Sequence, residues 1–386
     1  MRIAVVLPGL DPGIGGGFTF VEEISRALDQ CTPPAGTELV ILTDRPGKGS
    51  LPRVRYRAEG TVHRARRRVA KSSQRLSRMV GRANPIEAAA RKAEAHVVWF
   101  PTGGSEAIDL PFVATVWDIQ HRTHPWFPEV SEHGLWRARD ESSRELLSRA
   151  LLVVCGTEAG AAELDRCYQV PRDRVVLAPH PTPAWAFADV AGDAVDGVKA
   201  PFFLYPAQFW AHKNHATLIR ALAFHRSRGS RASLVLVGGD MGVRKRLVEL
   251  AMSLGVRDAV HFPGFIPRAA LRWLYTHATA LIYPAFSGPE NLPPLEAFAL
   301  GCPVANADFP GAREQLGEAA LYFDPANADA VAECMDRLES GEDLRDELIE
   351  AGRAIAESRR GAAFVDAVLG AIAARRAMID PFTPDA

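Results

Sequence analysis

The sequence predicts an α/β protein of two domains, each a parallel sheet covered by helices, with a cleft between them. Three observations predict it. Short apolar runs recur along the chain with helical stretches between them, the alternation that builds parallel sheets. Two of those runs, Arg2 to Leu7 and Phe202 to Pro206, each open a series of their own. And 386 residues with 47% hydrophobic content exceed what one core ordinarily holds, so two cores are expected.

Composition narrows the function classes. A net charge of −1 with 24% charged residues gives no global field to recruit nucleic acid. Cys31, Cys155, Cys167, Cys302 and Cys334 are scattered without a C-x-x-C pair. They suit small buried hydrophobes of a reducing compartment rather than disulfides or zinc ligands. The apolar run Ile3 to Leu7 is too short for a signal peptide, and Asp11 soon follows it. No eighteen apolar residues run together, so no membrane span is expected and the location is cytoplasmic.

The first half opens with the strand Arg2 to Leu7, followed by Gly9, Gly13, Gly15, Gly16 and Gly17. Phe18 to Leu28 then has helical spacing, with Phe20, Ile24, Ala27 and Leu28 on one side. Strand, glycine loop and helix are the opening of a Rossmann-like half, and Gly16 and Gly17 allow close approach to the backbone. Glu38 to Thr43 is a second strand. Between Arg53 and Arg82 eleven Lys and Arg face only Glu59, and Val62, Val69, Leu76 and Val80 trace a thin apolar seam. Such a basic amphipathic helix suits peripheral contact with anionic lipid, each basic group near the surface contributing about 1 kcal/mol. A solvated basic face, or a surface for a phosphorylated acceptor, fits the same residues. Nucleic acid is disfavoured, because only Tyr56 offers a ring for stacking.

His96 to Phe100 and Pro111 to Trp117 are the next strands, the latter running into Asp118-Ile119-Gln120-His121. The pairs His121/His124 and His212/His215 have ligand-like spacing without a carboxylate-and-Cys set to complete a site, so no metal is expected. Trp136 to Arg149 is a charged amphipathic helix. Leu151 to Cys155 is a buried strand, and Thr157 is a natural N-cap for the helix running to Tyr168. Val175 to Pro179 is the last strand of this half, and the polar stretch Asp189 to Ala200 reads as a linker. The domains are expected at residues 1–187 and 201–365.

In the second half, Phe202 to Pro206 leads to a loop holding Gln208 and Lys213 ahead of a helix from Thr217 to His225. A Lys just before a helix start can neutralise a phosphate leaving group, helped by the helix dipole. Ser233 to Val237 and Ala259 to Phe262 are strands, the second ending in Pro263-Gly264-Phe265-Ile266, with a helix from Arg244 to Leu254 between them. The helix Ala269 to His277 and the strand Ala280 to Tyr283 lead to the loop Gly288-Pro289-Glu290-Asn291. Pro293 and Pro294 then open a short helix that carries Glu296 in its first turn. Gly301 and Pro303 stop it before the next strand. Free N–H groups and a positive dipole end there suit an anionic or hydroxyl-rich ligand. Glu296 adds a two-oxygen acceptor for a vicinal diol such as a ribose, or else simply complements the dipole. Ala320 to Phe323 is the last strand, and Ala-, Glu- and Arg-rich helices follow.

The stretch Tyr283 to Val304 resembles the C-terminal motif of retaining GT-B glycosyltransferases of the glycosyltransferase 4 (glycosyl transferases group 1) type, in which seven residues separate two Glu. Its loop Gly288 to Pro294 is similar to a variant among bacterial polysaccharide mannosyltransferases. The resemblance implies that Glu296 holds the nucleotide ribose and Lys213 the donor diphosphate, with Gln208 where a partner Arg usually stands. It sets Phe265 and Ile266 against the nucleobase, and Gly16 and Gly17 beside donor and acceptor. The first Glu position is Gly288, so Glu290 and the backbone from Gly288 through Asn291 to Leu292 are expected to replace its sugar contact. Asp118 falls near the acceptor. Trp117 stands where a His is usual, and His121 or His124 is expected to bring an imidazole to that side. The last segment, 366–386, is expected to cross back to the first domain. Together these imply a metal-independent, cofactor-free enzyme moving a sugar, mannose from GDP-mannose favoured, to a glycan or lipid-linked acceptor in cell-surface polysaccharide synthesis, in the cytoplasm and peripheral on the inner face of the membrane. The departures at Gly288, Trp117 and Gln208 leave open a catalytically silent nucleotide-sugar binder, and a GT-B epimerase is a further alternative. An NAD-dependent oxidoreductase would need a dinucleotide fingerprint, which neither half provides.

Overall fold

The computed structural model describes residues 1–46, 49–56 and 84–379. They contain two parallel sheets. The first comprises β1 (Arg2–Val6), β2 (Glu38–Thr43), β3 (Arg53–Arg55), β4 (Val97–Trp99), β5 (Phe112–Thr115), β6 (Leu152–Cys155) and β7 (Val175–Leu177), in spatial order β3-β2-β1-β4-β5-β6-β7. The second comprises β8 (Phe202–Pro206), β9 (Ser233–Val237), β10 (Val260–Gly264), β11 (Ala280–Tyr283), β12 (Val304–Ala307) and β13 (Ala320–Phe323), in order β10-β9-β8-β11-β12-β13. In each sheet the order reverses beside the founding strand, between β1 and β4 and between β8 and β11. Such a switch point opens a crevice past the carboxyl ends of the strands.

The inner strands such as β1, β4, β6, β8 and β11 are nearly continuous apolar runs because helices cover both faces of a parallel sheet. Ile3, Val5, Val97 and Trp99 pack on one face of the first sheet, while Ala4, Val6, Val98 and Phe100 pack on the other. That alternation is the two-residue period of a pleated strand. Phe203 and Tyr205 go to one face of the second sheet, Phe202 and Leu204 to the other.

The chain crosses between the lobes twice. It leaves the first after β7, and it returns at Arg359-Arg360, between the helices Glu342–Ser358 and Gly361–Ala373. The latter helix sets Phe364, Val365, Val368, Leu369 and Ile372 into the core of the first lobe. Phe364 meets Phe20 edge-on, with ring centroids 5.4 Å apart. The two crossings touch: the Thr182 N–H donates to the Arg359 carbonyl at 2.8 Å.

The structure departs from the sequence expectation in three places that matter for the site. The first helix spans Gly16–Gln30, starting two residues earlier than its apolar spacing suggests, because Gly15 takes φ 75 and turns the chain directly into it. Gly16 and Gly17 are therefore first-turn residues whose N–H groups have no partner within the helix. The helix Leu292–Ala299 starts ahead of its prolines, because extended Asn291 occupies the capping position and Pro fits any first-turn site without an N–H bond. Glu296 consequently sits in the second turn, too deep to act as a dipole-complementing terminal acid. Finally, Arg53–Arg55 is a strand paired with β2 rather than the start of a basic helix, as its polar-apolar-polar alternation allows. The rest of the basic stretch, residues 57–83, lies outside the described residues.

Candidate active site

Loops from the carboxyl ends of both sheets enclose two adjoining cavities. The larger, about 760 Å³, is walled on one side by Gly15, Gly16, Gly17, Glu22, Trp117 and Trp185. Its other wall carries Gln208, Lys213, Phe265, Ile266, Arg268 and Glu296. The smaller, about 250 Å³, shares Gly16, Gly17, Trp117 and Lys213 and adds Asp118, His180, Gly288, Glu290 and Asn291. Lys213 and Glu296 thus face one space large enough for a nucleotide sugar.

Lys213 ends a short turn between β8 and the helix His215–Ser227. Its backbone carbonyl accepts from the buried Tyr205 hydroxyl at 2.8 Å, which fixes the turn. Its Nζ donates to the Tyr283 hydroxyl at 3.0 Å and reaches Asn291 Oδ1 at 3.4 Å, while the Tyr283 hydroxyl donates to the same Oδ1 at 2.7 Å. Among the described residues no carboxylate lies within ion-pair distance of this ammonium. A cation held only by neutral oxygens at a cleft wall keeps its charge available for an anion.

Glu296 is buried, and its Oε2 accepts from the Tyr275 hydroxyl at 2.8 Å. Burial pushes its carboxyl up to about 7, against the lowering pull of the Tyr275 bond and the Arg268 charge. Arg268 pairs with Glu22 of the opposite lobe at 2.7 Å and lies over the Trp185 ring. Phe265 is 61% exposed at the rim and lines this end of the cavity with Ile266. Trp185 and Arg268 had no signature in the sequence; Trp185 packs on the second lobe's core beside Tyr275, far in sequence from Arg268.

Gly288 takes φ 116, a backbone region that side-chain-bearing residues rarely adopt. The Asn291 side chain folds back to donate to the Gly288 carbonyl at 3.0 Å, and Gln315 clamps Asn291 through its N–H and carbonyl. Leu292 packs into the first lobe's core beside Gly16. Glu290 turns away from the larger cavity. Its Oε1 accepts from Arg359 Nη1 and from the His180 N–H, each at 3.0 Å, and its carboxylate fills the space where Gly156 lacks a Cβ. It braces the two lobes, whereas the sequence suggested a sugar contact.

Gln208 also spans the cleft: Nε2 donates to the Gly13 carbonyl at 3.0 Å and Oε1 accepts from Trp210 Nε1 at 2.9 Å. Next to it, His212 Nδ1 and its N–H both face Glu129 Oε1 of the first lobe. Burial pushes the His212 imidazole down to about 4, with Lys213 adding to the effect against the pull of Glu129. Asp118 caps the Gln120 N–H at 2.9 Å and borders the smaller cavity, as does Trp117. His121 is not brought to the cleft. Its Nε2 lies 2.6 Å from the Tyr168 hydroxyl, burial lowers its pKa, and neither cavity includes it. His124 stays near Trp126 and Phe127. Among the described residues no three His, Cys, Asp or Glu gather as metal ligands would, and no helix is long and apolar enough to cross a membrane.

Comparison with known proteins bears on the family and the fold. The family described as Glycosyltransferase Family 4 matches residues 14–184, and that described as Glycosyl transferases group 1 matches residues 195–355. The O-antigen chain mannosyltransferase RfbU of Salmonella typhimurium is 31% identical over 127 residues, 33% of this chain and 35% of that one. The O-antigen chain mannosyltransferase B of Escherichia coli is 23% identical over 212 residues, 53% and 56% of the two chains. The matched stretches thus span between a third and somewhat over half of those relatives' lengths. Among solved structures, the sucrose-phosphate synthase of Thermosynechococcus elongatus superposes with a TM-score of 0.72 over 98% of this chain and 99% of that one at 19% identity, a likeness of GT-B fold. The first lobe thus carries a Glycosyltransferase Family 4 domain and the second a Glycosyl transferases group 1 domain, within a single GT-B fold across both.

Proposed function

We propose that the protein transfers a sugar from a nucleotide-sugar donor to a glycan or lipid-linked acceptor with retention of anomeric configuration and without a metal. One observation carries this reading: an ammonium with no carboxylate partner among the described residues, Lys213, shares a cavity with a buried carboxylate, Glu296, and with the first-turn glycines Gly16 and Gly17. In the proposed complex Glu296 accepts from the ribose hydroxyls and Phe265 and Ile266 flank the base. Lys213, with the Gly16 and Gly17 N–H groups, takes up the charge that the diphosphate gains as the glycosidic bond breaks. Stabilising a departing diphosphate is the largest electrostatic demand of such a transfer, and fixed donors meet it without reorganisation. The mannosyltransferases among its relatives favour GDP-mannose and a polysaccharide product. The basic residues between Arg53 and Arg82 suit an acceptor at an anionic membrane surface on the cytoplasmic side.

Thermal-shift screening with GDP-, UDP-, ADP- and dTDP-sugars tests the donor, since a ligand that binds only the folded protein raises its melting temperature. Transfer is then followed in the presence of EDTA, with the product anomer read by NMR. No shift with any donor would overturn the reading. Binding without transfer or donor hydrolysis, across a panel of glycan and lipid-linked acceptors, would favour a silent binder, as the absence of a Glu at position 288 allows.

A further inference from the structure

His180 follows β7, where the chain leaves the first lobe, and its ring reaches the smaller cavity opposite Lys213 and Gly288. The ring is held rigidly: Phe20 and Trp117 meet it edge-on, with centroids 5.1 and 6.1 Å away. Nδ1 is sealed from solvent without a hydrogen-bond partner and lies 3.8 Å from Glu290 Oε2. A carboxylate at that distance favours the tautomer with its proton on Nδ1. Nε2 has no partner among the described residues either, yet it is not among the sealed atoms, so it is the nitrogen the ring shows to the cavity. Burial lowers the pKa of the ring, more than Glu290 raises it, and Arg359 adds to the lowering, so the ring is neutral and Nε2 is an acceptor. Trp117 Nε1 and Gln120 Nε2 nearby are sealed from solvent, so His180 Nε2 is the ring nitrogen of this wall that is open to the cavity. An unpartnered acceptor facing a cavity suits a hydroxyl donor, as a polyhydroxylated ligand supplies.

Glu290 prepares this nitrogen from the far side. Its carboxylate is anchored by Arg359 and by the N–H of His180 itself, so the group that orients the ring also fixes the backbone carrying it. We propose that His180 is the residue that accepts a hydrogen bond from a hydroxyl of the donor sugar, with Glu290 as the positioning residue that acts through it. The proposal rests on the reading of the cleft as a nucleotide-sugar site. It gives the sugar an imidazole contact from the first lobe, where position 117 carries Trp rather than His.

The test titrates wild type, His180→Asn, Glu290→Gln and the double variant by calorimetry with GDP-mannose and, separately, with GDP. The expected result is a loss of about tenfold or more in GDP-mannose affinity for His180→Asn with GDP affinity unchanged, as one hydrogen bond removed from a desolvated site gives. Unchanged GDP binding also shows that the variant is folded. Glu290→Gln should weaken GDP-mannose alone, and the double variant should be no worse than His180→Asn, because coupled residues are not additive. His180→Asn binding GDP-mannose as tightly as wild type overturns the proposal. Glu290→Gln weakening GDP equally, or additive losses, overturns the positioning role. Wild type binding neither GDP-mannose nor GDP, nor any other nucleotide sugar of the thermal-shift screen, overturns the reading of the cavity itself and the proposal with it.

Discussion

At the residue scale the site is a set of charges whose partners have been withheld or buried. Lys213 is expected to matter most, and Lys213→Ala should cut turnover by roughly a hundredfold or more with the melting temperature little changed. A Lys213→Ala rate equal to wild type would remove the residue from the chemistry. Glu296 makes a second, pH-dependent prediction. The fold raises its carboxyl from 4.5 to about 7, so it favours the protonated acid. The stability cost of ionisation is therefore absent below pH 4.5, grows as pH rises towards 7 and stays constant above. A shift of that size corresponds to roughly 3 kcal/mol for a fully buried group. Glu296→Gln keeps an acceptor for Tyr275 and should be more resistant to urea than wild type at pH 8, with the gap closing at pH 5. Donor affinity should move oppositely, rising in wild type through pH 7 and staying low and flat in the variant. The sequence set Lys213 and Glu296 near helix starts, and the structure brings both to one cavity although Glu296 sits a turn deeper than expected. The anchorage of Glu290 was not legible, because its partners, Arg359 and the His180 N–H, lie 69 and 110 positions away. No local pattern reports such a partner.

Among elements, the helix Leu292–Ala299 sets the position of Glu296, and its seat is a glycine on another helix. A Cβ on Gly352 would lie 2.4 Å from the Phe298 ring. Gly352→Val should therefore destabilise by about 1 to 3 kcal/mol, the usual cost of overpacking, and weaken donor binding through the displaced helix. Urea denaturation and calorimetry measure the two effects, and a stable variant with normal affinity would show that the helix tolerates the shift. The strands were legible because strands buried on both faces are continuous apolar runs, as in Ile3 to Val6. Helix starts were less so: Gly15 and Asn291 set them through backbone angles, and apolar spacing does not register those.

For the whole molecule, the two-lobed architecture followed from length and from two founding strands. The contacts across the cleft, among them Gln208 to Gly13, His212 to Glu129 and Arg268 to Glu22, did not. They join residues far apart in sequence, of types common on any surface. The helix Gly361–Ala373 buries five large apolar side chains in the opposite lobe. At about 1.5 to 3 kcal/mol each, their loss approaches the entire stability of an ordinary domain. A chain ending at Arg360 is thus expected to aggregate or melt far below the full-length protein, measured by soluble yield and scanning calorimetry. A soluble truncated chain with an unchanged melting point would assign that core another source of stability.

The bond between Thr182 and Arg359 has a mechanical corollary. Two tethers pinned together at one spot would act like a door on a single pin once the contacts across the cleft release: the lobes would swing about that point, while torsion and sliding would be resisted. Opening for product release would then follow one arc, and the brace at Glu290, which grips Arg359 and the neighbouring His180 N–H, would sit almost on the axle.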